Sequence, residues 1–148
     1  MTDDLYQEII LDHYKNPRGA PSIERPLGDS HQVNPTCGDE VTVWVGSDSE
    51  GNLDIAYQGQ GCSISQASAS VMSELLEGKS PAQAQEIQDA FMELMQSKGL
   101  IEPNEEILED AVAFQGVSRY PARIKCALIS WMALADAQIK AGMRNGER

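Results

Sequence analysis

Hydrophobic and polar positions follow two rhythms along this chain. Between residues 5 and 14, Leu5, Ile9, Ile10 and Tyr14 recur at helical spacing, with Asp3 or Asp4 placed to cap, which predicts a helix. Asn16-Pro17 ends it, and a loop containing Gly19, Pro21, Pro26 and Gly28 follows. Residues 30–33 read as a short strand. From Val41 the period becomes two: Val41, Val43 and Val45 fall on one side, Thr42 and Trp44 on the other. A polar turn around Gly51 leads to a returning strand over residues 53–57. Gly59-Gln60-Gly61 then frees the backbone just before Cys62.

Helical spacing fills the remainder. Ser63 or Ser65 can cap a helix that buries Ala67, Val71, Met72 and Leu75 and stops at Gly78. Ser80-Pro81 supplies the cap and first residue of the next, whose inner face carries Ile87, Phe91, Leu94 and Met95 as far as Gly99. A shorter helix is predicted over residues 105–114, and a last one from Pro121 to about Ala141. Strands first and helices after define an α+β fold: a small antiparallel three-stranded sheet covered on one face by helices, in two layers. The 148 residues suit a single domain, 1–148, able to bury a core without staples.

Composition narrows the function. Apolar residues at 41% and charged ones at 23% are globular values, which excludes collagen-like, disordered and disulfide-miniprotein classes. No apolar run approaches the ~20 residues that cross a bilayer. The opening Met1-Thr2-Asp3-Asp4 is acidic where a secretory leader would be basic. The expectation is a soluble, cytoplasmic protein with no membrane role. A formal charge of −12 repels a phosphate backbone, so nucleic acid is not an expected partner. Residues 74–112 hold ten acids and two lysines, whereas residues 113–148 hold two acids and six basic residues. That asymmetry fits either solvated helix faces or electrostatic docking to a protein partner.

Three cysteines, Cys37, Cys62 and Cys126, are an odd number for a disulfide framework. Each sits where a predicted element begins or ends. Helix N-termini and the nearby Arg123 and Lys125 would favour thiolate, the form that ligates metal or attacks sulfur. Asp39 is the natural fourth partner, because residues 37 and 39 project to one side at the start of a strand. Three thiolates and a carboxylate suit tetrahedral zinc, or iron in an iron–sulfur cluster. The spacing is not a Cys-x-x-Cys knuckle, however, and free cysteines often do no more than pack. Local pattern alone therefore leaves a shared site and inert core thiols both open.

Other chemistry finds little support. His13 reads as a surface or half-buried helix residue. His31, six residues before Cys37, is the other available imidazole. Trp44, Trp131 and the Met92–Met95 pair read as packing residues. Ser63, Ser65, Ser68 and Ser70 among small alanines point to close helix–sheet packing. No phosphate loop, dinucleotide fingerprint or zinc-deaminase pattern occurs.

Three motifs in order carry a specific resemblance. They are Asn34-Pro35-Thr36-Cys37-Gly38-Asp39, Gly59-Gln60-Gly61-Cys62-Ser63-Ile64-Ser65 with Ala67-Ser68-Ala69-Ser70, and Ala122-Arg123-Ile124-Lys125-Cys126-Ala127. With the opening Leu5-Tyr6-Gln7-Glu8-Ile9-Ile10-Leu11-Asp12-His13-Tyr14-Lys15-Asn16-Pro17, they resemble the IscU/SufU family of iron–sulfur cluster assembly proteins over nearly the whole chain. The scaffold branch has a histidine directly before its third cysteine and a Leu-Pro-Pro-Val-Lys motif upstream. Here Lys125 and Ser118-Arg119-Tyr120-Pro121-Ala122-Arg123 stand in those places, and the stretch between Cys62 and Cys126 is longer. All three departures resemble the SufU branch.

That resemblance implies a zinc held by Cys37, Asp39, Cys62 and Cys126, and a SufS-type, pyridoxal-phosphate-dependent cysteine desulfurase as partner. It implies a sulfurtransferase-like relay rather than a stand-alone enzyme. Cys37 would accept persulfide sulfur and pass it to downstream cluster-assembly proteins, with Arg123 and Lys125 near the site. Apart from the resemblance, Arg123 stands one helical turn before Cys126, where it would pair with Asp39, steady the displaced ligand or remain a solvated surface arginine. A scaffold carrying a transient [2Fe–2S] cluster is the second expectation, and a purely structural zinc-binding interaction domain the third.

Overall fold

The structure, a computed structural model, describes residues 3–144; Met1 and Thr2, which open the acidic start, lie outside that range. Helix α1 (Asp3–Lys15) precedes a meander of three antiparallel strands, β1 (Gly28–Asn34), β2 (Asp39–Ser47) and β3 (Leu53–Gln60), in the order β1-β2-β3. Then come α2 (Ser63–Leu76), α3 (Pro81–Gln96), a single turn α4 (Glu105–Leu108), a 3-10 segment (Glu109–Arg119) and α5 (Pro121–Lys140). The α+β, two-layer expectation holds, and every predicted strand is present with longer ends. No described helix is long and apolar enough to cross a membrane.

The alternation in β2 sets the layering. Val41, Val43 and Val45 are almost wholly buried and face the helices. Their neighbours Ile55 and Tyr57 on β3 share that face through the register Val45↔Ile55 and Val43↔Tyr57. Helix α5 lies across β1 and β2, while α2 packs beside it against β3. Gly28 permits that approach, since a Cβ there would run into the Ala137 carbonyl of α5. Ser30 locks the pairing by donating to Asp136 at 2.7 Å. On the opposite face Ala56 is closed off by the loop after α1, where Ala20 bridges it and accepts from the Tyr57 amide at 3.0 Å.

Helix starts follow the local chemistry unevenly. At α3, Ser80 accepts from the Gln83 amide, the Gln83 side chain reaches back, and Pro81 follows, a full capping box worth about 1 kcal/mol. At α2 the predicted serine cap does not form: the cap residue is Cys62, which makes no side-chain cap bond. The serines and alanines of α2 serve instead to bury the helix on nearly every side, against α1 and α5 as well as the sheet. Ser68 donates to the Ala127 carbonyl at 2.6 Å and accepts from Trp131 Nε1 at 2.9 Å. Trp131 stacks on Phe91 with centroids 4.0 Å apart, and Phe114 meets Phe91 edge-on. Met95 is fully buried beside them, as its spacing predicts.

Four expectations need correction. The helix predicted over 105–114 is α-helical only to Leu108; Glu109 adopts φ +46° and the chain continues as 3-10 helix. There Ala111, Val112, Ala113 and Phe114 are buried consecutively, so the segment is enclosed by neighbours and presents no single α-helical stripe. In α1 the inward stripe is Tyr6, Ile10 and His13, while Leu5 and Tyr14 are over 40% exposed. His13 is not a surface residue: it is completely buried, because Ser70 and Asp110 satisfy its two ring nitrogens. Asp4 lies within the first turn of α1 and is not its cap, while the side chain of Asp3 lies outside what the structure describes.

Candidate metal and thiol centre

The Cys37 turn is built by its flanks. Residues 35–38 join β1 to β2, and the Asn34 carbonyl accepts from both the Cys37 amide (3.2 Å) and the Gly38 amide (2.9 Å). Gly38 adopts φ +71° with open space around it, a conformation that costs glycine little. Cys37 is consequently exposed. Two residues later, Asp39 opens β2 and is wholly buried.

Asp39 organises the centre from within. Its Oδ1 accepts from the Cys62 amide at 2.9 Å and from Ser65 Oγ at 3.2 Å, so the carboxylate stands at the N-terminus of α2. Its Oδ2 faces Cys62 Sγ at 3.9 Å. Gly61, with φ +151°, lets the backbone pass close beside it, since a Cβ would strike Asp39 Oδ1 and Ser65 Oγ. Sequence patterns point to the glycine pair before Cys62 but not to Ser65 as a contact of Asp39.

The third thiol arrives from α5. Cys126 is buried, with Sγ 3.3 Å from Cys37 Sγ and 3.7 Å from the Ala122 carbonyl. Ligand atoms of Cys37, Asp39 and Cys126 all lie within 4.8 Å of one another, and Cys62 borders them through Asp39. Four side chains from three separate stretches thus converge. Sulfurs about 2.3 Å from a tetrahedral ion stand about 3.8 Å apart, so the 3.3 Å between Cys37 and Cys126 would open by about half an ångström around an ion.

The electrostatics differ from the expectation in one respect. Burial first, then hydrogen bonding to Asp39, Cys37 and Cys62, pushes the Cys126 thiol far above its ordinary range. The helix start and its cations do not lower it. Arg123 does not pair with Asp39; it is exposed and lines a groove of about 500 Å³ with Tyr6, Ile64, Arg119 and Tyr120. Lys125 is exposed too. Among the described residues no cationic side chain forms an ion pair with Asp39. A buried carboxylate without a counter-charge is costly unless a cation joins it. His31 stays outside the centre, bonded to Thr42 Oγ1 at 2.7 Å across the strand pair and 3.4 Å from Glu40.

The sheet thus gathers a carboxylate and thiols at the β1–β2 turn, the N-terminus of α2 and the second turn of α5, a centre able to hold a metal ion. The chain belongs to the NifU-like N-terminal domain family, whose model matches residues 5–127. It is 45% identical to the zinc-dependent sulfurtransferase SufU of Bacillus subtilis over 142 residues, 93% of this chain and 92% of that one. It is 37% identical to the iron-sulfur cluster assembly scaffold protein IscU of Streptococcus pyogenes, covering 90% and 82%. A crystal structure from Fervidobacterium islandicum, described as an assembly scaffold for the SUF system, superposes with TM-score 0.78 at 33% identity, covering 93% and 98%. A NifU-like N-terminal structure from Brucella abortus gives 0.80 at 25% identity, covering 97% and 98%.

Proposed function

We propose that this chain is a zinc-dependent sulfur acceptor that takes persulfide sulfur from a SufS-type, pyridoxal-phosphate-dependent cysteine desulfurase and relays it to downstream cluster-assembly proteins. The observation that carries the reading is the burial of Asp39 against the thiols with no cationic side chain paired to it among the described residues. Cys37, Asp39, Cys62 and Cys126 would hold the ion. Zinc bound there supplies the missing positive charge and keeps the thiols as thiolates in a reducing compartment such as the cytoplasm.

The chain's own residues divide the labour. Cys62 and Cys126 sit at the starts of two packed helices, and Asp39 is fixed by two hydrogen bonds, so these three are held in place. Cys37 is exposed on a turn with an unobstructed glycine, so it is the residue free to meet a partner. In the exchange, the Cys37 thiolate attacks the outer sulfur of the desulfurase persulfide. The new S–S bond forms on Cys37, the old one breaks, and the desulfurase cysteine leaves as thiolate; no oxidant is consumed. Arg123, close in sequence to Cys126 but turned to the groove, is placed to meet the docking partner rather than Asp39.

The scaffold reading, with a transient [2Fe–2S] cluster on the same side chains, draws on the name of the Streptococcus relative. The exposure of Cys37 beside three held partners favours transfer, and also disfavours a purely structural zinc. The test is alanine production by a SufS-type desulfurase with cysteine, as the zinc-loaded protein is titrated in. A saturable acceleration that disappears in Cys37→Ser is expected. No acceleration by the wild type, with the desulfurase otherwise active, would overturn the relay and make iron reconstitution the next measurement.

A further inference from the structure

A second convergence of ligand atoms lies away from the thiols, where α1, α2 and the 3-10 segment meet. His13 has no exposed surface, yet its Nε2 faces two carboxylates, Asp110 Oδ2 at 2.8 Å and Glu74 Oε1 at 3.8 Å. All three ligand atoms lie within 4.8 Å of one another. Nitrogen and oxygen donors about 2.0–2.2 Å from one ion sit about 3.0–3.5 Å apart, and the two observed separations bracket that spacing.

The surroundings resemble the support a metal ligand needs. The other ring nitrogen, Nδ1, lies 2.8 Å from Ser70 Oγ, which also accepts the Arg18 amide at 2.8 Å. Such an outer hydrogen bond fixes ring orientation, and an ion would take Nε2 over from its present hydrogen bond to Asp110. Arg18 occupies one side only: its Nε is 3.4 Å from Glu74 Oε2, and its other arm holds Asp12 at 2.7 Å. Glu74 therefore keeps Oε1 turned to His13. Three carboxylates (Asp12, Glu74 and Asp110) stand against one guanidinium, leaving two negative charges, the complement of a divalent ion. Glu74 and Asp110 are about half exposed, at 49% and 48%, so an ion can reach them and keep water as further ligands.

We propose that His13, Glu74 and Asp110 form a binding site for a divalent first-row transition ion, separate from the thiol centre. One imidazole and two carboxylates suit manganese, ferrous iron or zinc, whereas magnesium and calcium favour all-oxygen shells and soft ions favour thiolates. Binding there joins three elements distant in sequence. The inference is independent of the sulfur-relay reading.

The probe is Mn²⁺ alone, a hard ion with little affinity for thiolates, added to protein holding one equivalent of zinc. Binding is read by electron paramagnetic resonance and by broadening of the His13 imidazole proton signals. The expected result is one saturable Mn²⁺ per chain that selectively broadens His13 and is weakened at least ~10-fold by Asp110→Asn and by Glu74→Gln. Near-UV circular dichroism checks folding, and the half-exposed Glu74→Gln serves as the deciding variant if Asp110→Asn disturbs the structure. Absence of saturable Mn²⁺ binding would overturn the site. So would binding that leaves His13 unbroadened, or that persists unchanged in Glu74→Gln.

Discussion

Replacing Asp39 with asparagine separates the two things its carboxylate does. In the metal-free protein that carboxylate is fully buried, accepts from the Cys62 amide and Ser65 hydroxyl, and has no cationic partner among the described residues. The two hydrogen bonds to a charged acceptor contribute about 1.5–3 kcal/mol each, and an amide oxygen keeps them at about 1 kcal/mol each. The loss is thus on the order of 1–4 kcal/mol. Against it stands the desolvation of an unpaired buried charge, several kcal/mol, which asparagine removes. The two nearly cancel, so Asp39→Asn should leave metal-free stability within about 1 kcal/mol of wild type. With zinc the balance reverses, because a ligating anion has been exchanged for a neutral amide. Affinity should fall at least ~100-fold, or about 2.7 kcal/mol. The assay is urea unfolding followed by Trp131 fluorescence, in chelator and in saturating zinc, with affinity from chelator competition. The zinc-dependent gain in unfolding free energy should shrink by about that amount. A metal-free variant destabilised by more than about 3 kcal/mol would refute the reasoning, since the charge would then be well satisfied by the protein alone. Unchanged zinc affinity would refute it as well.

Other predictions follow from the same contacts. Burial raises the Cys126 thiol, so the folded metal-free protein holds a proton there that the unfolded chain releases once pH passes the ordinary thiol value, about 8.5. Stability of the metal-free protein should therefore fall as pH rises above about 9, and Cys126→Ala should flatten that decline in urea titrations at several pH values. Because the same proton must leave on metal binding, apparent zinc affinity should climb with pH across the neutral range, with proton release measurable by calorimetry in buffers of different ionisation enthalpy. Gly61→Ala should cost about 1–3 kcal/mol and weaken zinc, through strain at φ +151° and collision with Asp39 and Ser65; thermal unfolding and chelator competition read both. Ser68→Ala should lower stability by about 1–3 kcal/mol while leaving zinc affinity intact, because it orphans Trp131 Nε1 in the interior and removes the side-chain bond that the Ala127 carbonyl accepts.

What the sequence discloses here depends on the range of the interaction. Val41, Val43 and Val45 declare their strand through alternation, and Ser80-Pro81 declares its helix through capping, because both rest on neighbours a few residues away. Cys37 and Asp39 could be placed together for the same reason. The approach of Cys126 to Cys37 to 3.3 Å depends on α5 crossing the sheet, and only the resemblance in motifs anticipates it. His13 was illegible because its burial is licensed by Ser70 and Asp110, far along the chain. The 3-10 segment was missed for a related reason: consecutive burial of residues 111–114 reflects enclosure by several elements, which leaves no periodic trace. Arg123 shows the converse limit: spacing of one helical turn from Cys126 leaves open a contact with Asp39 or a surface position, and the structure has it exposed along the groove.

Asp39 and Cys62 are 23 positions apart, whereas Cys126 meets Cys37 across 89. Three of the four converging side chains therefore emerge from the ribosome early, as part of one meander and the helix behind it. The fourth arrives only after a further stretch of chain has been made and α5 has docked. Closing so long a loop is a late event in folding. On the proposed ligand set, a nascent or misfolded chain would present an incomplete, lower-affinity claw, and tight metal capture would certify that α5 has docked.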